Sequence, residues 1–174
     1  MPRSFDMFTD YEGNVDKVFW AFSEADYWQA RLAESAVDDT RLESMRVGGE
    51  SGDDGTIEVV TMQVVRSHNL PRLVTQVHQG DLHIRREETW SPITHGVATA
   101  SIVGSILNAP ANVSGTAVLS PIAESGGSRL KLQVTVAVRI PLIGGKLEKI
   151  IGTQLAELVK LEQRFTTMWI TNNA

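Results

Sequence analysis

Apolar residues recur at intervals of three and four along the last part of the chain, from Lys146 to Ile170. Side chains at this spacing lie on one side of an α-helix, so the pattern predicts one long amphipathic helix. At 1.5 Å per residue, about 25 residues form a rod roughly 37 Å long, which can cross a small domain. The rest of the chain must therefore supply an apolar surface for this helix. The predicted stripe, interrupted by one glutamate, is Leu147, Ile150, Ile151, Leu155, Leu158, Val159, Glu162, Phe165, Met168 and Trp169.

Most of the chain before that helix alternates between apolar and polar residues, which predicts β-strands. The clearest strand runs from Leu130 to Ile140, where Leu, Val and Ile alternate mainly with Lys, Gln, Thr and Arg. Short turns join successive strands, so the predicted sheet is antiparallel. The stretch from Arg72 to Gln79 fits either a short strand or an irregular helix. The predicted strands are 4–11, 40–47, 56–66, 80–90, 97–107, 113–121 and 130–140.

Two short helices are predicted between the first and second strands. Asn14 is a suitable N-cap for a helix from Val15 to Ser23, and a second helix covers residues 25–32 with Tyr27 and Trp28 as its apolar anchors. Two consecutive helices cannot lie flat within a sheet. We therefore expect them to close one open end of it.

The order of these elements resembles the START-like superfamily, also called SRPBCC, which includes the birch pollen allergen fold. Within it, several short motifs are similar to a branch known only as a domain of unknown function. The resemblance implies an α+β helix-grip fold, in which a curved antiparallel sheet of about seven strands wraps around the long C-terminal helix. It also implies that residues 1–174 form one domain that binds an apolar small molecule in an internal cavity. The motifs are Phe19-Trp20-Ala21-Phe22, Asp26-Tyr27-Trp28, Leu70-Pro71, Glu88-Thr89-Trp90 and the segment from Ile140 to Glu148.

Composition and charge exclude several classes of function. The chain has 174 residues, no cysteine and a net charge of -5, so disulfides, thiolate metal sites and cysteine nucleophiles are excluded. The scattered basic residues argue against nucleic acid or an anionic membrane surface as the partner. The absence of cysteine fits a cytoplasmic protein, and the N-terminus lacks the apolar core of a signal peptide. The charge-free stretch from Val97 to Ala123 contains a turn around Pro110, so two hairpin strands are expected rather than an integral membrane segment.

The predicted strand that ends at Trp90 carries the most informative polar residues. A period of two places Arg86 and Glu88 on the same face as Leu82, Ile84 and Trp90. If that face is buried, the two charges must pair with each other or with a ligand, because a lone buried charge is costly. One interpretation is a polar patch that orients a ligand inside an apolar cavity. The alternative is a half-exposed strand or a structural ion pair near the rim.

Apolar residues on the predicted inward faces of several elements are candidates for the lining of a ligand cavity. Trp28 and Trp90 are expected to border its mouth. The predicted ligand-binding residues are Trp28, Val60, Met62, Val64, Ile84, Arg86, Glu88, Trp90, Val134, Val136, Val138, Ile151, Leu155 and Leu158.

The sequence offers no motif for catalysis, a metal or a cofactor, and we expect none of the three. The four histidines have no metal-ligand spacing, and the glycine-rich loop from Gly48 to Gly55 lacks the Lys and Ser or Thr of a phosphate-binding loop. No G-x-S-x-G elbow is present. Glu162 interrupts the apolar stripe, either as a cavity carboxylate with a raised pKa or as a residue at the edge of the stripe that reaches water.

These observations predict a non-catalytic protein that binds a hydrophobic small molecule such as a lipid or a polyketide-like compound. One alternative is an enzyme of the cyclase or dehydratase type, for which Glu88 and Glu162 are the candidate acid or base. Another is a solid-cored interaction module that uses the charge-free hairpin as its contact surface, for example in a homodimer.

Overall fold

A single antiparallel sheet of seven strands is the largest element of the computed structural model, which describes residues 2–35 and 38–174. The strand order is β1-β7-β6-β5-β4-β3-β2, so β2 to β7 form a meander and β1 adds to its far edge. This confirms the predicted helix-grip fold, with a curved sheet, two short helices after β1 and a long C-terminal helix. The elements are β1 (Arg3–Tyr11), α1 (Val15–Phe22), α2 (Ala25–Glu34), β2 (Asp39–Val47), β3 (Ile57–Val65), α3 (Arg72–Val77), β4 (Leu82–Trp90), β5 (Ala98–Ile106), β6 (Ala111–Pro121), β7 (Ser128–Val138) and α4 (Gly144–Asn173).

The sheet has two different ends. At the closed end, where β1 and β6 finish, α1 packs against β6 and α4, and α2 lies between β2 and α4. Helix α1 begins as predicted, because the Asn14 side chain accepts a hydrogen bond from the Lys17 amide at 2.9 Å. At the opposite end, called the open end below, β7 finishes, α4 begins, and the connections β3–β4 and β5–β6 turn.

Helix α4 starts at the open end and runs across the concave side of the sheet toward α1. Its backbone approaches β1 and β7 most closely among the strands of the described chain. Gly152 permits this approach, because a Cβ atom at that position would overlap the ring of Phe5 on β1. The apolar stripe predicted from the sequence therefore faces the sheet over most of its length, with Leu147 buried near its start. Met168, which the predicted stripe includes, is 54% exposed, and Ile170 beyond the stripe is buried instead.

The segment that the sequence left ambiguous is a helix. α3 occupies Arg72–Val77 in the connection between β3 and β4, after a turn of 3-10 helix at Ser67–Asn69. Pro71 precedes its first residue, a position where proline's fixed φ suits the start of a helix. Leu73 and Val74 pack against the apolar cluster at the open end of the grip.

The predicted orientation of β3 is wrong by one residue. Val60, Met62 and Val64 pair across the sheet with Glu87, Arg85 and His83, which lie on the outer, convex face. The inner face carries Ile57, Val59 and Thr61 instead, which pair with Trp90, Glu88 and Arg86. The sequence from Ile57 to Val65 is apolar or β-branched at nearly every position. The sequence therefore does not show which residues of this strand face inward, and a shift of one residue exchanges the two faces.

The close contact between α4 and β1 leads to a prediction about Gly152. Glycine to alanine normally stabilises a helix, but here the added methyl group must displace the Phe5 ring. We expect Gly152→Ala to lower the free energy of unfolding by about 1–3 kcal/mol, measured by urea denaturation. Gly145→Ala is the matched control, since its Cβ would lie at ordinary contact distance from Arg3. Equal stability of the two variants would contradict the packing described here, whereas Phe5→Leu should partly rescue Gly152→Ala.

Candidate functional site

The inner face of the sheet becomes more accessible from the closed end to the open end. On β4, Trp90 and Glu88 are buried, whereas Arg86, Ile84 and Leu82 are only half-buried. The inward-facing residues of β3, β5 and β6 show the same gradient, while those of β7 are buried along its whole length. The interior is thus sealed where α4 lies on β7 and opens toward β3–β6.

The half-buried region between α4 and strands β4 to β6 at the open end is called the cleft below. Its walls are apolar, and each of their side chains is half-buried although it faces the interior of the grip. The α4 residues share one side of the helix with Glu162, since they precede it by four, seven and eleven residues. α3 borders the cleft through Leu73 and Val74. The lining residues are Ile84, Ile106, Val113, Ile151, Leu155 and Leu158.

A network of four charged side chains lies at the floor of this cleft. Glu162 on α4 contacts Arg31 on α2 at 2.5 Å and Arg86 on β4 at 2.8 Å. Arg86 also contacts Glu88, the residue two positions along the same strand, at 3.2 Å. The side chains of Glu88 and Arg31 are 6% and 12% exposed, so these pairs are largely shielded from water. Two guanidinium groups face two carboxylates, and their formal charges balance.

Neutral partners hold the network in place. The Tyr27 hydroxyl and the Thr166 hydroxyl hydrogen-bond at 2.5 Å, and Thr166 also donates to the Glu162 backbone carbonyl at 2.7 Å. Arg31 donates to the Tyr27 hydroxyl at 3.3 Å and stacks over the Trp28 ring at 4.6 Å. The position of Arg31 is therefore determined by aromatic contacts as well as by its ion pair.

The neighbouring cations control the ionisation of Glu162. Burial alone would raise its pKa, but attraction first to Arg31 and then to Arg86, with their hydrogen bonds, outweighs burial and lowers the pKa to about 2. A carboxylate held in this state is a poor general acid and a weak base near neutral pH. Neither interpretation made from the sequence describes Glu162, because it lies between two arginines rather than at the edge of the stripe.

A small cavity of about 40 Å³ lies on the closed-end side of the network. Since each water molecule needs roughly 10–15 Å³ of such a cavity, there is room for about three waters. This is far less space than a lipid requires. Trp90 forms part of its wall, and within the described residues its buried indole N–H has no hydrogen-bond acceptor.

The structure brings together some of the residues predicted for the site. Ile84, Arg86, Glu88 and Trp90 lie along the inner face of β4, while Ile151, Leu155 and Leu158 face the cleft from α4. Val134, Val136 and Val138 also face inward but are buried beneath α4. Val60, Met62 and Val64 lie on the opposite face, as described above.

Two tryptophans occupy positions different from the expected mouth of the cavity. Trp28 is 2% exposed, and its indole N–H donates to the Phe22 carbonyl at 2.8 Å within the aromatic core. Trp90 is 1% exposed and packs against the Phe22 ring. Sequence reasoning missed Arg31, although it follows the anchor Tyr27 by four residues and so shares its side of α2.

Three solved structures share this architecture. A protein from Thermus thermophilus has a TM-score of 0.62 at 14% identity, with 99% of both chains covered. Ara h 8.0201 has a TM-score of 0.59 at 14% identity, with 99% of this chain and 100% of that chain covered. A START superfamily protein from Mycobacterium smegmatis has a TM-score of 0.54 at 11% identity over 95% and 98% of the chains. The sheet, the gripped helix and these similarities show a START-like helix-grip fold.

The particular family follows from the sequence itself. Residues 6–170 match the family described as protein of unknown function (DUF2505), and the chain belongs to it. An uncharacterised protein of Mycobacterium tuberculosis H37Rv is 73% identical over 173 residues, covering 99% of both chains, and one of Mycobacterium bovis matches equally. Within residues 2–35 and 38–174, no helix is long and apolar enough to cross a lipid bilayer.

The depressed pKa of Glu162 leads to a prediction about acid stability. Because this pKa lies below the ordinary value of 4.5, the ionised carboxylate stabilises the fold above pH 4.5, and the contribution is lost as the pH falls toward 2. At about 1.4 kcal/mol per pH unit, it is on the order of 3 kcal/mol. Glu162→Gln should therefore lower the free energy of unfolding at pH 7 and flatten its pH dependence between 4.5 and 2, measured by denaturant titration.

The control is Glu157→Gln, the same substitution on the exposed side of the same helix. Glu157 is 63% exposed and contacts only Lys160 among the ion pairs of the described residues, so its replacement should change stability by less than about 1 kcal/mol. A Glu162→Gln variant as stable and as acid-sensitive as the wild type would refute the proposed role of the network.

Proposed function

We propose that this protein binds a hydrophobic small molecule, such as a lipid or a polyketide-like compound, in the cleft between α4 and strands β4 to β6. The observation that carries the proposal is the exposure of the cleft walls. Six apolar side chains face the inside of the grip, yet each stays half-buried because α4 rests on β1 and β7 instead. Apolar surface that faces inward but remains in contact with water is what an apolar ligand can cover.

Burial of apolar surface supplies the affinity. At about 25 cal/mol per Å², a ligand that removes roughly 200 Å² of apolar surface from water gains about 5 kcal/mol before the cost of its own immobilisation. The walls need little rearrangement, since β4, β5 and β6 are paired along the cleft and α4 is anchored at both ends. The ligand lies in the cleft, because the cavity of about 40 Å³ is too small for it.

The floor of the cleft favours a ligand whose polar group is neutral. Arg31 and Arg86 are both occupied by Glu162, and Arg86 also contacts Glu88. A ligand carboxylate would have to displace one of these pairs, whereas a hydroxyl or carbonyl group can accept a hydrogen bond from Arg86, which is 23% exposed. The Trp90 N–H, which has no acceptor in the part of the chain that the structure describes, offers a second donor deeper in the interior.

The fold supports the same conclusion. This chain resembles START-like proteins in sequence and in architecture. The resemblance implies a domain that accommodates apolar ligands between the sheet and the last helix. The low pKa of Glu162 argues against this residue as the acid or base of the cyclase or dehydratase alternative, because that role requires a carboxyl group that exchanges a proton near neutral pH.

A binding titration with a neutral apolar dye tests this function. Nile red should bind the wild-type protein saturably, with a blue-shifted emission typical of an apolar environment. Leu155→Trp enlarges a side chain in the cleft wall and should weaken the binding about tenfold or more, because a ligand that loses roughly 60 Å² of apolar contact loses about 1.5 kcal/mol. Organic extraction followed by mass spectrometry should also recover a small molecule that co-purifies with the wild type.

Leu161→Trp is the matched control, since Leu161 lies on the same helix but is 55% exposed on its outer side. It should bind Nile red like the wild type. Equal affinity of the two tryptophan variants, or the absence of saturable binding to the wild type, would refute a ligand site in the cleft.

A further inference from the structure

The loop between β7 and α4 exposes an apolar side chain in a strained conformation. Leu142 is 105% exposed, and its φ of 72° lies in the left-handed region that a leucine rarely adopts. Its neighbours Ile140 and Ile143 pack against the apolar cluster at the open end, so the loop is anchored on both sides of this residue. An anchored loop that projects a strained leucine into solvent indicates a function for that side chain.

Other exposed apolar residues lie at the same end of the fold. Leu107 is 41% exposed in the turn between β5 and β6, and Val77 is 39% exposed at the end of α3. The topology places them near Leu142, since the Arg139 amide donates to the Pro110 carbonyl of that turn, and α3 packs on the cluster that contains Ile143. Three separate connections thus present apolar side chains around the mouth of the cleft.

Cations surround these apolar residues. Five exposed basic side chains lie in β1, α3, α4 and the β7–α4 loop at this end, and none has an acidic partner within 4 Å among the described residues. Asp38, Asp39 and Asp81 cluster instead around Arg66 at the β2–β3 side of the open end. Glu148 also lies at this end, but it is 1% exposed and accepts a hydrogen bond from the Val138 amide. The five basic residues are Arg3, Arg72, Arg139, Lys146 and Lys149.

We propose that the open end docks on the surface of an anionic lipid bilayer, with Leu142 inserted among the acyl chains and the five cations beside the phosphate groups. A cationic rim around an apolar tip complements such a surface in both charge and polarity. The net charge of -5 argues against this partner only when the basic residues are treated as scattered. The fold gathers five of them at one end, so the excess of acidic residues lies elsewhere on the surface. This separation of charge orients the basic end toward an anionic membrane.

Docking in this orientation points the mouth of the cleft at the bilayer. The inference does not depend on ligand binding, because it rests on the exposed residues of the loops and not on the cleft walls. A second copy of the chain is a less suitable occupant, since two cationic rims would repel each other.

Vesicle flotation tests the proposal. The wild-type protein should float with vesicles of equal parts phosphatidylglycerol and phosphatidylcholine, far less with phosphatidylcholine alone, and less as salt is raised. Leu142→Asn removes the apolar tip but suits the left-handed backbone, so the variant should fold normally. Its partitioning should fall about tenfold, the loss expected when a leucine no longer enters an apolar phase.

Two further variants make the result decisive. Leu161→Asn removes an exposed leucine from the outer side of α4 and should float like the wild type. Arg139→Ser combined with Lys146→Ser should weaken binding by about fivefold for each cation removed. The proposal is overturned if the wild type does not float with anionic vesicles or if Leu142→Asn and Leu161→Asn float equally. It is also overturned if light scattering shows a dimer that Leu142→Asn converts to a monomer, which would assign the surface to self-association.

Discussion

The ion pairs of Glu162 with Arg31 and Arg86 join the three elements that enclose the interior, since the three residues belong to α4, α2 and β4. An amphipathic helix on an apolar surface can shift by one turn, about 5.4 Å, and still bury a stripe of apolar residues. The ion pairs do not survive such a shift, because a displaced Glu162 would leave two arginines unpaired in a largely dry interior. They therefore disfavour other registers of α4 on the sheet, as does the close approach of Gly152 to the Phe5 ring.

The same network divides the concave space into two parts. Toward the closed end, the interior is filled by aromatic side chains such as Tyr27, Trp28 and Trp90, which leave only a small cavity. Toward the open end, α4 stays close to β7, and the facing residues of β4 to β6 are half-buried. The proposed ligand cleft and the aromatic core thus occupy separate parts of one domain, with the charged network between them.

The net charge of this protein does not describe how its charges are distributed over the surface. The chain is acidic overall, yet the loops around the cleft carry apolar tips and basic side chains whose acidic counterparts lie elsewhere. Leu142 combines full exposure with a left-handed backbone, a pairing that packing alone does not favour. The cleft, the exposed apolar residues and the five basic side chains therefore lie at the same end of the molecule, opposite the helices that close the other.

Local periodicity in the sequence determined the helices and strands. The alternation of β7, the helical stripe of α4 and the Asn14 cap each appear where the pattern predicts them, and the order of the elements indicates the helix-grip fold. It also placed Arg86 and Glu88 on one face, since a strand's side-chain period is local. Periodicity could not orient β3, because nearly every residue from Ile57 to Val65 is compatible with burial. Only the tertiary structure brought Arg31 and Arg86 to Glu162 and gathered the basic residues at one end. These residues lie far apart in the chain, and their relative positions depend on how the sheet curves around the helix.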